Sequence, residues 1–117
     1  MAEIKLGGRT GLPFKFPVID RFENGIAVSV KTMDLGAPSY QNISRIISQG
    51  RRYIDALSNF RGARYGRVIT SSQITHRVLE LVVPPWATPA QRQALQRLVE
   101  YGKIQNPPVI VKIVEMY

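Results

Sequence analysis

Apolar and polar positions change rhythm several times along the chain, and each change marks an element. Phe16 to Phe22 alternates loosely and ends at Glu23-Asn24-Gly25. Asn-Gly between two alternating runs is the strongest short hairpin signal, so Ile26 to Met33 reads as the return strand. Leu35-Gly36-Ala37-Pro38 breaks it, and Ser39 is placed to cap a helix with apolar residues at Ile43, Ile46, Ile47, Tyr53, Ile54, Leu57 and Phe60, a helical spacing. Gly62 and Gly66 punctuate a basic loop. Arg67 to Ser71 and Thr75 to Val83 read as strands, the second ending at Pro84-Pro85. Thr88-Pro89-Ala90-Gln91 combines a capping Thr, a Pro at the first helical position and a Gln three residues after the cap. A second helix therefore starts there, runs to about Glu100 and stops at Gly102. Pro107-Pro108 forbids helix, and Val109 to Glu115 is a β-branched final strand.

This order, ββα, then one or two strands, then αβ, predicts an α/β (α+β) fold. No repeat or linker interrupts it, and 117 residues suit one core. The expectation is a single domain over residues 1–117, with 1–15 an extended or partly truncated N-terminal segment. Hydrophobic residues at 44% and charged residues at 21% are ordinary for a folded chain. The absence of cysteine excludes disulfides, thiolate nucleophiles and cysteine zinc sites. The longest apolar runs, Val78 to Pro85 and Val109 to Val114, fall far short of the roughly 20 residues that cross a bilayer, so no membrane role is expected. Met1 to Gly8 lacks the basic start and apolar run of a secretory signal.

Charge changes the picture. A net +8, from sixteen Lys and Arg against eight Asp and Glu, points to a polyanionic partner. Arg45, Arg51, Arg52, Arg61, Arg64 and Arg67 crowd one stretch with Tyr53, Phe60 and Tyr65, a mixture suited to phosphate contact and base stacking, or to a solvated helix face. Tyr53 and Phe60 share the apolar stripe and are expected in the core. Trp86, between two prolines and a helix cap, is expected as a packing anchor, and the lone His76 as a structural or solvent-facing strand residue.

A two-residue turn at Asn24-Gly25 makes Glu23 face Ile26, Phe22 face Ala27, Arg21 face Val28 and Asp20 face Ser29. Alternation then puts Lys31 on the face of Ser29, so Asp20, Ser29 and Lys31 converge, unless the register slips by one residue. A carboxylate beside an ammonium suits phosphodiester hydrolysis: a carboxylate-held divalent ion lowers the pKa of its bound water and offsets phosphate charge, while Lys orients water or stabilises phosphate. The same pair also reads as a solvated cross-strand ion pair. One carboxylate holds a metal poorly, which makes Glu3 the candidate second ligand beside Asp20.

The strings Phe16-Pro17-Val18-Ile19-Asp20-Arg21-Phe22 and Ala27-Val28-Ser29-Val30-Lys31-Thr32-Met33-Asp34-Leu35 carry a resemblance. So do Ser39-Tyr40-Gln41-Asn42, Tyr53-Ile54-Asp55, Arg77 to Pro84 and Tyr101-Gly102. Together they resemble the C-terminal nuclease toxins of contact-dependent growth inhibition systems, in the PD-(D/E)xK superfamily. The resemblance implies a restriction-endonuclease-like core with a central mixed β-sheet flanked by helices. It implies catalytic Asp20, Ser29 and Lys31, with Ser-x-Lys replacing (Asp/Glu)-x-Lys, and Glu3 in the place of an upstream metal-binding Glu. It also implies Zn2+ or Mg2+ as cofactor, a DNA substrate with tRNA as the near alternative, and a cognate immunity protein acidic enough to meet this positive surface. Delivery would be as part of a larger exported protein, with action in the target-cell cytoplasm by a domain monomeric when free. The competing classes are a non-catalytic basic nucleic-acid-binding module and an interaction domain that docks an acidic protein.

Overall fold

The computed structural model describes residues 19–65 and 67–116. The expected approach Leu12 to Pro17, the first residues of the predicted strand, and Glu3 lie outside the described residues. Two strands open the described chain, β1 (Arg21–Glu23) and β2 (Ile26–Thr32), followed by α1 (Ile43–Ser58), the hairpin β3 (Gly62–Tyr65) and β4 (Arg67–Thr70), then β5 (His76–Val83), α2 (Pro89–Lys103) and β6 (Ile110–Glu115). The main sheet has the order β1-β2-β5-β6. Its β1–β2 pair is antiparallel, whereas β2–β5 and β5–β6 are parallel. The predicted mixed sheet is therefore present.

Among the described residues both helices pack on one sheet face. Ala27, Leu79, Leu81 and Val111 on that face share one core with Ile46, Ile54 and Leu57 of α1 and Ala94, Leu95 and Leu98 of α2. Val28, Val30, Val78 and Val82 form a smaller cluster on the opposite face. The valine-rich, nearly continuous apolar run of β5 follows from this two-sided burial.

Several local expectations are corrected. Ser39 does not cap α1: it lies in a 3-10 turn, Pro38–Gln41, and the Asn42 side chain accepts the Ser44 N–H at 3.0 Å instead. Asn caps as well as Ser, and the cap directly preceding the apolar stripe prevails. The basic loop at Gly62 is a strand, paired from Gly62↔Thr70 to Tyr65↔Arg67. Gly102 does not stop α2, which runs through it to Lys103. It is instead a close-approach site, where the Val109 N–H donates to the Gly102 carbonyl at 2.9 Å and a Cβ would collide with the Val109 carbonyl. Trp86 is no packing anchor, being 59% exposed. His76 is exposed on β5, its ring beside the Thr75 hydroxyl at 3.1 Å.

The capping box of α2 forms as read, with the Gln91 N–H donating to the Thr88 hydroxyl at 3.1 Å and the Thr88 N–H to Gln91 Oε1 at 3.0 Å. The same Gln91 amide then donates to the Leu35 and Tyr40 carbonyls at 2.9 and 3.0 Å. One side chain thus caps a helix and pins the β2–α1 connection.

The two helices touch at Gly50 of α1, where a Cβ would run into the side chain of buried Leu98. Exposed helical Gly→Ala changes stabilise by up to about 1 kcal/mol, but overpacking a filled core costs about 1–3 kcal/mol. Gly50→Ala should therefore lower stability in urea unfolding, and a gain would show that the helix contact can spread at little cost.

Candidate active site

Asn24 and Gly25 take φ values of 52° and 81°, the left-handed pair that a type I′ hairpin turn requires. The register is the one the turn dictates: Glu23↔Ile26, Phe22↔Ala27, Arg21↔Val28. The regular ladder ends there, so the expected pairing of Asp20 with Ser29 does not form. The Asp20 N–H donates to the Val28 carbonyl at 2.8 Å, and its Oδ2 accepts the backbone N–H of Val30 at 2.7 Å. Asp20 therefore lies against β2 between Ser29 and Lys31, tied to the strand by its side chain rather than by continued pairing.

Ser29 points to the helix-covered face and is buried, 2% exposed, with Leu79 as its register partner on β5. Lys31 is half-buried on the same face, close enough for its charge to act on Asp20, and its Nζ stands 5.7 Å from the centroid of the Tyr53 ring on α1. Burial raises the Asp20 carboxyl above its ordinary value, against the opposing pull of the Val30 N–H, then of Lys31, then of Arg21. Burial, and then the neighbouring Tyr53, likewise raise the Tyr40 phenol. Tyr53 thus stands between Lys31 and a second phenol, Tyr40. The helical stripe had placed Tyr53 in the core; it packs against the core only partly, and its ring also meets the lysine. Nothing in the spacing pointed to Tyr40.

The arginine run does not form one patch. Arg45 and Arg52 are exposed on α1, seven residues apart and on the flank of Tyr53. Arg51 stacks on the Tyr101 ring at 4.8 Å, on the side facing α2. Arg61 turns back and donates to the Ser58 and Phe60 carbonyls at 2.7 and 3.3 Å. Arg64 and Arg67 lie on the β3–β4 hairpin. Arg97 of α2, which the run did not include, is exposed near Arg51.

A family model described as a CDI toxin restriction endonuclease-like domain matches residues 2–112. The chain belongs to this family. It is 34% identical over 104 residues to Deoxyribonuclease CdiA-o11 of Escherichia coli O157:H7 strain EC869, and equally to Deoxyribonuclease CdiA of Yersinia pseudotuberculosis serotype O:3 strain YPIII. These alignments cover 86% of the chain but only 28% and 10% of the two relatives. Among solved structures, the CdiA-CT/CdiI toxin and immunity complex from Yersinia pseudotuberculosis aligns with a TM-score of 0.79 and 28% identity over 98% of both chains. The sheet and helices described above are those of the CDI toxin restriction-endonuclease-like fold.

Among the described residues no group of three His, Asp or Glu side chains is gathered that could hold a metal. Asp20 alone leaves one oxygen to a hard cation. Its Oδ2 is spent on Val30, and burial leaves the carboxylate short of the solvation that a divalent ion would replace.

A carboxyl raised by burial stays protonated in the folded chain at pH values where the unfolded chain has released its proton. Ionisation of Asp20 therefore costs stability as pH rises through the folded value. Asp20→Asn, whose amide oxygen can still accept from Val30, should melt above the unsubstituted protein at pH 7 in EDTA, with the gap closing as pH falls through the carboxylate range. A variant that melts lower at pH 7 would make the carboxylate a structural acceptor above all.

Proposed function

We propose that this domain is a toxin nuclease of contact-dependent growth inhibition that hydrolyses phosphodiester bonds of DNA with a divalent metal. The observation that carries the reading is the convergence of Asp20 and Lys31 on the helix-covered face of the hairpin, in a chain of this family. The names of the curated relatives support DNA over tRNA. Asp20 would hold the metal, with Glu3, outside the described residues, as the second acid. Bound there, Zn2+ or Mg2+ would supply an acidified water and charge compensation at phosphorus.

The chain's own side chains do the rest. Lys31 faces the position where phosphate charge accumulates and offers it an ammonium. The Tyr53 ring holds that ammonium by its π-face, so the charge is aimed before substrate arrives. Buried Ser29 fixes the floor between them. Arg45 and Arg52, exposed on the flank of Tyr53, would contact backbone phosphates on either side of the scissile bond, with Arg64 and Arg67 of the β3–β4 hairpin as further contacts. Arg61 is the weakest member of this set, because its guanidinium already serves the end of α1. We further infer that the domain reaches its target as the end of a larger exported protein, acts in the target-cell cytoplasm and is neutralised by a cognate immunity protein. The toxin and immunity complex formed by the solved relative supports the last point.

Plasmid DNA and total tRNA, each incubated with EDTA, Mg2+ or Zn2+, test the centre. Metal-dependent cutting of plasmid is expected, with Asp20→Ala and Lys31→Ala each slowing it by at least about a hundredfold. Cutting that survives Asp20→Ala would remove the proposed centre, and cutting confined to tRNA would change the substrate.

The ring of Tyr53 is tested separately. Tyr53→Phe keeps the π-face and should keep the rate, whereas Tyr53→Leu should lower kcat about tenfold with little change in KM. Equal losses in both variants would transfer the role from ring to hydroxyl.

A further inference from the structure

A concavity lies away from the Asp20–Lys31 cluster, between α1 and α2. It is a groove of about 560 Å3 lined by Ile43, Ile47, Arg51, Arg52 and Asp55 of α1 and by Arg97 of α2, together with two serines. Ile43, Ile47, Arg51 and Asp55 follow the i, i+4 row of the helix, so the groove runs about 18 Å along α1. Its chemistry changes along that length. The Ile43–Ile47 end is apolar and half-buried, while the Arg51–Arg52–Arg97 end is cationic and exposed.

The cations are unbalanced. Among the described residues no ion pair engages Arg51, Arg52 or Arg97. Asp55, the one acid among the described residues of the groove, accepts the Tyr101 hydroxyl at 2.7 Å. Arg51 is also held in place, its guanidinium stacked 4.8 Å from the centroid of the same Tyr101 ring. A guanidinium fixed in advance loses less freedom on meeting a carboxylate.

Nucleic acid fits this groove poorly. Among the described residues no aromatic side chain lines it, so unpaired bases meet no ring there to stack on. The isoleucine floor gives a sugar-phosphate backbone nothing to bond. Position argues the same way. Arg51 and Tyr53 are two residues apart on α1, about 200° around the helix, so a duplex held at Lys31 lies on the opposite flank.

We propose that the α1–α2 groove docks an acidic segment of a partner protein, with carboxylates on Arg51 and Arg97 and apolar side chains over Ile43 and Ile47. The mode is a chain segment laid between two helices, anchored by apolar contact and oriented by charge. It leaves the Lys31 flank open, so docking and substrate engagement use different sides of α1.

Fluorescence anisotropy tests it, with a labelled random copolymer of glutamate and leucine as probe, poly-glutamate and a short DNA duplex as comparisons, and the unsubstituted protein beside Arg51→Glu/Arg97→Glu. The neutral pair Arg51→Gln/Arg97→Gln guards against a folding defect from charge reversal. The expected result is copolymer binding weakened at least about tenfold by charge reversal, an intermediate loss in the neutral pair, weaker binding of poly-glutamate, and duplex affinity unchanged. Copolymer affinity indifferent to both pairs would overturn the proposal. Poly-glutamate bound as tightly as the copolymer would remove its apolar half, and duplex affinity falling in parallel with the copolymer's would assign the groove to nucleic acid.

Discussion

The carbonyl of Gly25 joins two registers that the rest of the fold builds on. Gly25 sits in the hairpin turn with φ at 81°, and its carbonyl accepts the Thr75 N–H at 2.8 Å, the Thr75 hydroxyl at 3.2 Å and the His76 N–H at 3.3 Å. The antiparallel β1–β2 pairing and the parallel β2–β5 pairing, which begins at Ile26↔His76, therefore start from one point. A Cβ at Gly25 would meet the Thr75 hydroxyl at 2.6 Å, in a backbone conformation that side chains already resist. The period-2 alternation of a strand makes this register decisive. A slip of one residue would carry Ser29 and Lys31 to the valine face and bring Val28 and Val30 under the helices.

Around that frame, buried polar side chains tie loops to helix ends. Arg77 of β5 is buried and donates to the Leu57 and Phe60 carbonyls at 3.0 and 2.8 Å, at the end of α1 where carbonyls fall outside the i, i+4 ladder. Burial, and then the charge of Arg61, lower its hold on its proton, yet a guanidinium starts so high that the cation persists. Ser58 of α1 donates to the Pro107 carbonyl at 2.7 Å, fastening the approach to β6. Gln91 does the same work at the other end of the molecule. Among the described residues no buried side-chain nitrogen or oxygen lacks a partner, so these groups anchor loops without leaving desolvated polarity behind.

What was legible in the sequence was local. Asn24-Gly25, the Thr88–Gln91 capping box and the β-branched run ending at Glu115 each carry their signal within a few residues, and the hairpin register followed from turn length alone. What depended on distant contacts was not legible. Gly62 to Tyr65 forms a strand because Arg67 to Thr70 is there to pair with it, against a loop-like composition. Gly102 looked like a stop signal, but the constraint on it is the backbone of Val109. The arginine run read as one surface because sequence distance is blind to helix direction: Arg51 faces α2, Arg45 lies on the Tyr53 flank, and Arg61, past the end of α1, turns back onto the Ser58 and Phe60 carbonyls. Tyr53 shows the same blindness at smaller scale, since an edge position of an apolar stripe serves core and site together.

Asp20 joins strand architecture and chemistry in a single carboxylate. β1 begins at Arg21, so among the described residues the Val30 N–H has no strand partner on that side of β2 and would otherwise be an unpaired ladder donor of the kind that invites another chain. Asp20 Oδ2 takes that donor, which ends the ladder and fixes the carboxylate in the same act. Side-chain length matters here. A Glu would add a methylene between the backbone, already set by the Asp20 N–H on Val28, and an acceptor position 2.7 Å from Val30. It could reach the same donor only by folding its chain back, with further rotamer freedom to lose. The short acid at the end of a short strand thus follows from backbone hydrogen bonding alone, and the charge it brings beside Lys31 is what that constraint makes available for chemistry.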